Sequence, residues 1–428
     1  MMYTARNHSK AADPGRAIVM IGILFFVFGF VTWLGSVLIP YLRIACQLTN
    51  FESYLVTFAF YISYLVMALP AAGILKFTGF KNGMAAGLLI MAAGTLMFIP
   101  AALSRTYGLF LAGLFVQGTG LSILQTASNP YITILGPRES AAKRISIMGI
   151  CNGVAGIIAP IVLGMVVLED ADALQGSIAT MSPAAREVAL DALANKVIGP
   201  YSLMAAALTV LAVAIYFSSL PEVNAEEEEN NGGEQVAERS SIFRYSHLLL
   251  GVAALFLYVG VEVVAADTII SYGASQGIAL ATAKFFTSFT LSGMLLGYMI
   301  GIICIPRYIS QRQALIISSF TGIAFAFTAL LLDGVASVFF IAMLGVANSL
   351  MWPSIWPLAI HGLGRFTRIG SSMLVMAIGG GAVIPLLYGH LADAWSPGQA
   401  YWILIPCYLF ITFYALRGYR AGLPAEKA

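Results

Sequence analysis

Charge is the scarcest property of this sequence: 22 basic and 20 acidic residues make up only 10% of its 428, and the formal net charge is +2. So few charges leave no electrostatic footprint for nucleic acid and too little polar surface to coat a soluble protein. Cysteine is equally sparse. Cys46, Cys151, Cys304 and Cys407 stand singly, which excludes a disulfide framework or a paired-thiol zinc site and leaves them as small hydrophobes. No phosphate-cradling loop, metal-ligand cluster or catalytic triad occurs at a recognisable spacing. The chain is therefore not expected to be an enzyme, to carry a cofactor or to draw energy from bound nucleotide. The first sixteen residues are polar and include Arg6, Lys10 and Arg16, but the apolar run behind them is too long for the core of a signal peptide.

What is present is hydrophobicity. Apolar residues make up 59% of the chain and the mean hydropathy is +0.87, so the bilayer is the solvent and helices are the spanning element. Apolar windows predict spans at 17–41, 52–75, 83–103, 107–135, 145–168 and 200–219, then at 246–272, 281–304, 314–332, 335–360, 370–390 and 399–416. The expected fold is an all-α membrane protein of twelve transmembrane helices in two six-helix repeats. The first half covers 1–218, a linker 219–245, and the second half 246–428. The linker contains Glu226-Glu227-Glu228-Glu229 and Asn230-Asn231-Gly232-Gly233, a polar stretch that can bury nothing. With the amino terminus inside, Lys76, Lys81, Arg138, Lys143, Arg144, Arg244, Arg307, Arg312, Arg365, Arg368, Arg417 and Arg420 all fall on the cytoplasmic side. Positive-inside bias thus puts both termini in the cytoplasm. Between the fifth and sixth spans, 183–196 reads either as a short amphipathic surface helix or as a solvated loop.

The halves echo one another. Asn129-Pro130, Pro160 and Gly164 have counterparts in Trp352-Pro353, Pro385 and Gly389. Paired six-helix repeats joined by a cytoplasmic linker describe a rocking secondary transporter with its substrate near the midplane. An ionisable side chain deep in a span is costly and marks function by default. Only Glu262 and Asp267 qualify, both on the seventh span. Five residues at about 100° and 1.5 Å each set them roughly 140° apart, so they pair only if the helix breaks at Gly260 or among the small residues before Asp267. They are candidates for a proton or cation site, with Na⁺ as one candidate ion; structural bonding is the other reading, Lys284 being an available partner for Asp267. At similar depth in the first half lie Thr32, Trp33, Ser36, Gln125, Thr126, Ser128, Asn129 and Asn152. Gln125 lies five residues before Pro130, as Asn348 lies five before Pro353, so the repeat predicts that both face one cavity. Amides beside Trp33, Tyr61, Trp352 and Trp356 suit a neutral, polyhydroxylated ligand. Gly113, Gly118, Gly120, Gly149, Gly153, Gly156, Gly379, Gly380 and Gly381 read as close-packing positions.

Leu124-Gln125-Thr126-Ala127-Ser128-Asn129-Pro130-Tyr131-Ile132-Thr133-Ile134-Leu135-Gly136-Pro137 closely resembles the fourth-helix signature of the fucose/galactose/glucose:proton symporter family of the major facilitator superfamily. Phe256 to Gly260, Trp352-Pro353 through Gly364, and Gly379-Gly380-Gly381 with Pro385 are similar to that family as well. The resemblance implies the twelve-helix fold, alternating access and import of a hexose or deoxyhexose across a bacterial inner membrane. The partners expected are a small sugar and the lipid bilayer, with the carrier a monomer. The family usually has a Glu where Gln125 stands and an Asp on the first helix where Ser36 stands, and neither replacement can hold a titratable proton. Three options follow: protons coupled through Glu262 or Asp267, Na⁺ bound by the same acids, or a uniporter without coupling. Coupling at the seventh span is the favoured expectation. A membrane enzyme or sensor on such a fold would need a surface catalytic constellation or an output domain, and neither is seen.

Overall fold

A computed structural model describes residues 14–134, 141–169, 171–178, 180–218, 241–305, 307–363 and 366–422. The linker sequence 226–233 lies outside these residues, as do Arg138 and the side chain of Asn129. Among the described residues there is no strand. Twelve helices are long and apolar enough to cross a membrane: Ile18–Ala45, Asn50–Ala68, Phe77–Leu103, Tyr107–Ser128, Ile147–Val167, Pro183–Tyr216, Ser246–Asp267, Leu280–Cys304, Gln311–Leu331, Gly334–Ile360, Ile369–Ala394 and Pro397–Leu416. They are called spans 1 to 12. Large apolar side chains such as Leu203, Val210, Phe289 and Ile303 are exposed on their outer faces, as lipid requires.

The predicted number of spans holds, and most differences lie at the ends. Spans 2 and 3 form one helical run, Asn50–Leu96, bent where Gly79 takes φ 74°, a conformation that costs a residue with a Cβ but not glycine. The first part of span 6 is a separate helix, Pro183–Asn195, started by Ser182 and buried through Leu190, Leu193 and Ala194, so of the two readings of 183–196 the helix holds and the loop does not. Its acids Glu187 and Asp191 pair with Arg105. Span 1 breaks after Thr32 and resumes at Gly35. Span 10 breaks between Asn348 and Met351. There the Pro353 ring excludes the carbonyl four residues back, at Ser349, so the proline sits in the first turn of the second piece.

With twelve crossings both termini emerge on one face, and the opposite face carries the starts of spans 2, 8, 10 and 12. The first six spans meet the last six along three seams, span 2 on span 11, span 5 on span 8, and span 1 on span 7. Adding six to each number exchanges the first two seams and returns the third, which is the symmetry of a duplicated unit. Close approach is built with glycine. A Cβ on Gly380 of span 11 would collide with the Phe256 carbonyl of span 7, and one on Gly381 would come within 2.9 Å of the Tyr61 ring. Gly149 differs: nothing lies within 4 Å of its would-be Cβ, so its close-packing reading does not hold.

This contrast is testable by thermal unfolding of the detergent-purified protein. Gly380→Ala should destabilise by about 1–3 kcal/mol, the usual range for overpacking, whereas Gly149→Ala should be neutral to stabilising by up to about 1 kcal/mol, the helix preference of Ala over Gly.

Candidate functional site

Span 7 runs as uninterrupted α-helix from Ser246 to Asp267, and its break comes after the second acid, at Thr268. No break occurs at Gly260 or before Asp267, the condition for the acids to pair: Gly260 is wedged against Ile384, and the Thr268 hydroxyl bonds the Val264 carbonyl at 2.6 Å. The two acids therefore keep their angular separation and face different surroundings.

Glu262 is only partly buried. The Tyr258 hydroxyl, one turn earlier, faces its carboxyl, and Tyr298 of span 8, Tyr408 of span 12 and Tyr61 of span 2 lie in its field. The Tyr408 hydroxyl donates to Asn348 Oδ1 at 2.7 Å. Trp352 and Trp356 stack with ring centroids 5.6 Å apart, and Tyr258 tilts against Trp352 at 6.4 Å. Spans 7, 8, 10 and 12 thus gather a carboxyl, phenols, an amide and two indoles.

Asp267 is 1% exposed and lies in the seam with spans 1 and 2. A Cβ on Gly35 would sit 3.0 Å from its Oδ2, so the break in span 1 brings bare backbone up to the carboxyl. Thr57 of span 2 presents its hydroxyl, but neither Thr57 Oγ1 nor Asp267 Oδ1 completes a hydrogen bond. Beside them is a cavity of about 10 Å³ lined by Thr32, Gly35, Thr57, Tyr61 and Gln117 among others, room for about one water. Lys284 is not the expected partner of Asp267. The ion pairs among the described residues are those of Arg105, and the Lys284 ammonium lies 5.5 Å from the Phe285 ring centre with its stem against Gly164.

The remaining candidates separate. Ser36 is fully buried and donates to its own helix at the Trp33 carbonyl, 2.9 Å away, so it does not reach a cavity. Trp33 is packed among Ala266, Leu291 and Met294 and against Gly156, a seam contact rather than an open ring face. Tyr61 is buried beside Gly381 and lies in the fields of both acids. Gln125 and Asn152 are partly buried, whereas Asn348 is 1% exposed with its Nδ2 unpaired. Gln125 and Asn348 therefore share a register but not an environment, because the chain breaks after Asn348 and runs on as helix past Gln125. Sequence reasoning missed Tyr258, Thr57 and Gln117. Tyr258 had a signal, one helical turn before Glu262; Thr57 had none, since it meets Asp267 only across the seam.

The chain matches the model of the Major Facilitator Superfamily over residues 21–373. It is 35% identical over 413 residues to a glucose/galactose transporter of Brucella abortus biovar 1 (strain 9-941), covering 96% of each chain. To an L-fucose-proton symporter of Escherichia coli (strain K12) it is 28% identical over 397 residues, with 91% of this chain and 90% of the other covered. The crystal structure of a major facilitator transporter, FucP, in the outward conformation superposes with a TM-score of 0.69 at 27% identity, covering 93% of this chain and 97% of that one. An inward-facing, occupied bacterial homologue of the lysosomal transporter Spinster shares the fold at a TM-score of 0.66 and 15% identity.

The Tyr408–Asn348 bond gives a direct check of the cluster. Tyr408→Phe leaves Asn348 Oδ1 buried without its donor, and should lower stability by about 1 kcal/mol in a thermal melt of the purified protein.

Proposed function

The chain belongs to the major facilitator superfamily, and from that membership we propose that it is a secondary active importer of a monosaccharide, a hexose or deoxyhexose, working by alternating access with both termini in the cytoplasm. The observation that carries this reading is the division of span 7. One acid faces a cluster of phenols, an amide and stacked indoles, the chemistry that holds sugar hydroxyls and a sugar's C–H face. The other is buried in the seam between the two sets of six spans, where its charge has no basic partner among the described residues. The names of the similar proteins support the sugar class.

In this reading Glu262, Asn348 and Trp352 serve the second half of the binding site and Gln125, Asn129 and Asn152 the first. Tyr61 lies between them. Asp267 is the group whose charge the driving cation, H⁺ or Na⁺, cancels before the seam can shut over it, because an isolated buried carboxylate is far costlier than a neutral one. Oxygen donors nearby, the Thr57 hydroxyl and the backbone at Gly35, suit either ion. The alternative within transport is a sugar uniporter, favoured by the absence of a titratable group at Ser36 and Gln125.

Uptake of labelled hexoses and deoxyhexoses into proteoliposomes tests the reading, with a pH gradient imposed in one series and a Na⁺ gradient in another. Accumulation against the sugar gradient under either is expected; simple equilibration under both would leave the uniporter. Asp267→Asn should abolish accumulation while sparing exchange of labelled for unlabelled sugar. For binding, Gln125→Ala should weaken sugar affinity by about 1–3 kcal/mol, the cost of lost hydrogen bonds in a desolvated site. Ser36→Ala should leave it within twofold, since that hydroxyl serves its own helix; tryptophan fluorescence titration reads both.

A further inference from the structure

The first backbone N–H groups of a helix have no partner within it and must find one outside. Spans 2 and 8 start on the face opposite the termini, and they meet this need differently. Span 2 supplies part of its own solution. The Thr49 hydroxyl accepts from the Glu52 N–H at 3.2 Å, and the Glu52 carboxylate accepts from the Thr49 N–H at 2.8 Å, a reciprocal cap. Asn50 and Phe51 are left over. Their N–H groups donate to a single carboxylate, Asp393, at 3.0 and 2.7 Å, and the Asn50 side-chain amide donates to it at 2.7 Å. Asp393 lies at the end of span 11, in the other set of six. Span 8 supplies nothing of its own, because its cap position is Ala279, which has no side-chain acceptor. The N–H groups of Leu280 and Ala281 donate instead to Asp172 at 2.9 and 3.0 Å, and Asp172 follows span 5.

These are one device used twice. Adding six turns span 5 into span 11 and span 2 into span 8, so each acid beyond the fifth helix of one set caps the second helix of the other. The acids are 343 and 108 residues away in sequence from the helices they cap. We propose that Asp172 and Asp393 are paired latches of the transport cycle: they hold shut the face opposite the termini, and opening that face breaks both. The proposal rests on the alternating-access reading above. A carboxylate at a helix start is favoured by the exposed N–H groups and by the helix dipole. When the sets part, water must replace four backbone bonds and one amide bond. The latches therefore bias the resting carrier towards the shut state with neither sugar nor ion bound. They hydrogen-bond to neither Glu262 nor Asp267, so gating and coupling can be separated by mutation.

The test uses spin labels on exposed Val188 and Leu332, which lie on that face in different sets, in a background lacking the four native cysteines. Pulsed electron paramagnetic resonance then reads the ratio of open to shut distances in liposomes without sugar. Asp172→Ala and Asp393→Ala should each raise that ratio roughly two- to thirtyfold, the span of lost helix caps, and the double variant should multiply the two. Asn50→Pro removes two of the three donors to Asp393, the Asn50 N–H and side-chain amide, and leaves the Phe51 N–H, at a position where proline fits a helix start. It should shift the ratio in the same direction as Asp393→Ala and by less, add little to it when combined, and stand in should an acid variant misfold. Unchanged ratios, or a shift towards shut, would overturn the latches. Sugar uptake measured in parallel separates the failures: unshifted distances with normal wild-type uptake sink the latches alone, whereas no wild-type uptake of any sugar sinks the carrier reading.

Discussion

A polar group buried away from water must find a partner in the protein, and most of this structure follows from that demand. Inside the spans the helix itself meets it. Where a span bends, a side chain steps in: Ser36 bonds the Trp33 carbonyl at the break in span 1, and Ser349 bonds the Val346 carbonyl at the break in span 10. At the span starts the demand reaches between the two sets of six, as the carboxylates of Asp393 and Asp172 take up amides that their own helices leave unbonded.

The same demand gives the two acids of span 7 different characters. Glu262 keeps part of its surface accessible among tyrosines, where a hydroxyl-bearing ligand can satisfy it. Asp267 is enclosed, and its nearest donor does not complete a bond. A buried carboxyl without an ionic partner is suited to respond to a cation, because neutralising it removes the cost of its burial. In the proposed coupling, the responding carboxyl sits in a seam between helices rather than in a binding pocket.

The scaffold keeps the symmetry of its two halves, whereas the candidate site departs from it. The seams obey the add-six rule, and so do the two carboxylate caps. Gln125 and Asn348 hold matching places before matching prolines, yet one lies in a continuous helix and the other at a break, bonded to Tyr408. Ser36, Trp33 and Lys284 were legible as polar or aromatic residues within spans, but each has its chemistry taken up locally, by a carbonyl, by seam packing and by an aromatic ring respectively.

The amino-acid sequence alone determined the twelve spans, their all-helical nature and the two acids of span 7, because hydropathy summed over about twenty residues and the cost of a charge in lipid are local quantities. It also carried the family, in the fourth-helix signature. Which acid meets a cluster of phenols and which meets a seam was decided by tertiary structure, since a helix face has meaning only once neighbours surround it. The partnerships of Asp393 with Asn50 and of Asp172 with Leu280 were likewise invisible in the chain: hydrogen bonds act over about 3 Å, and only folding brings residues 343 and 108 positions apart within that distance.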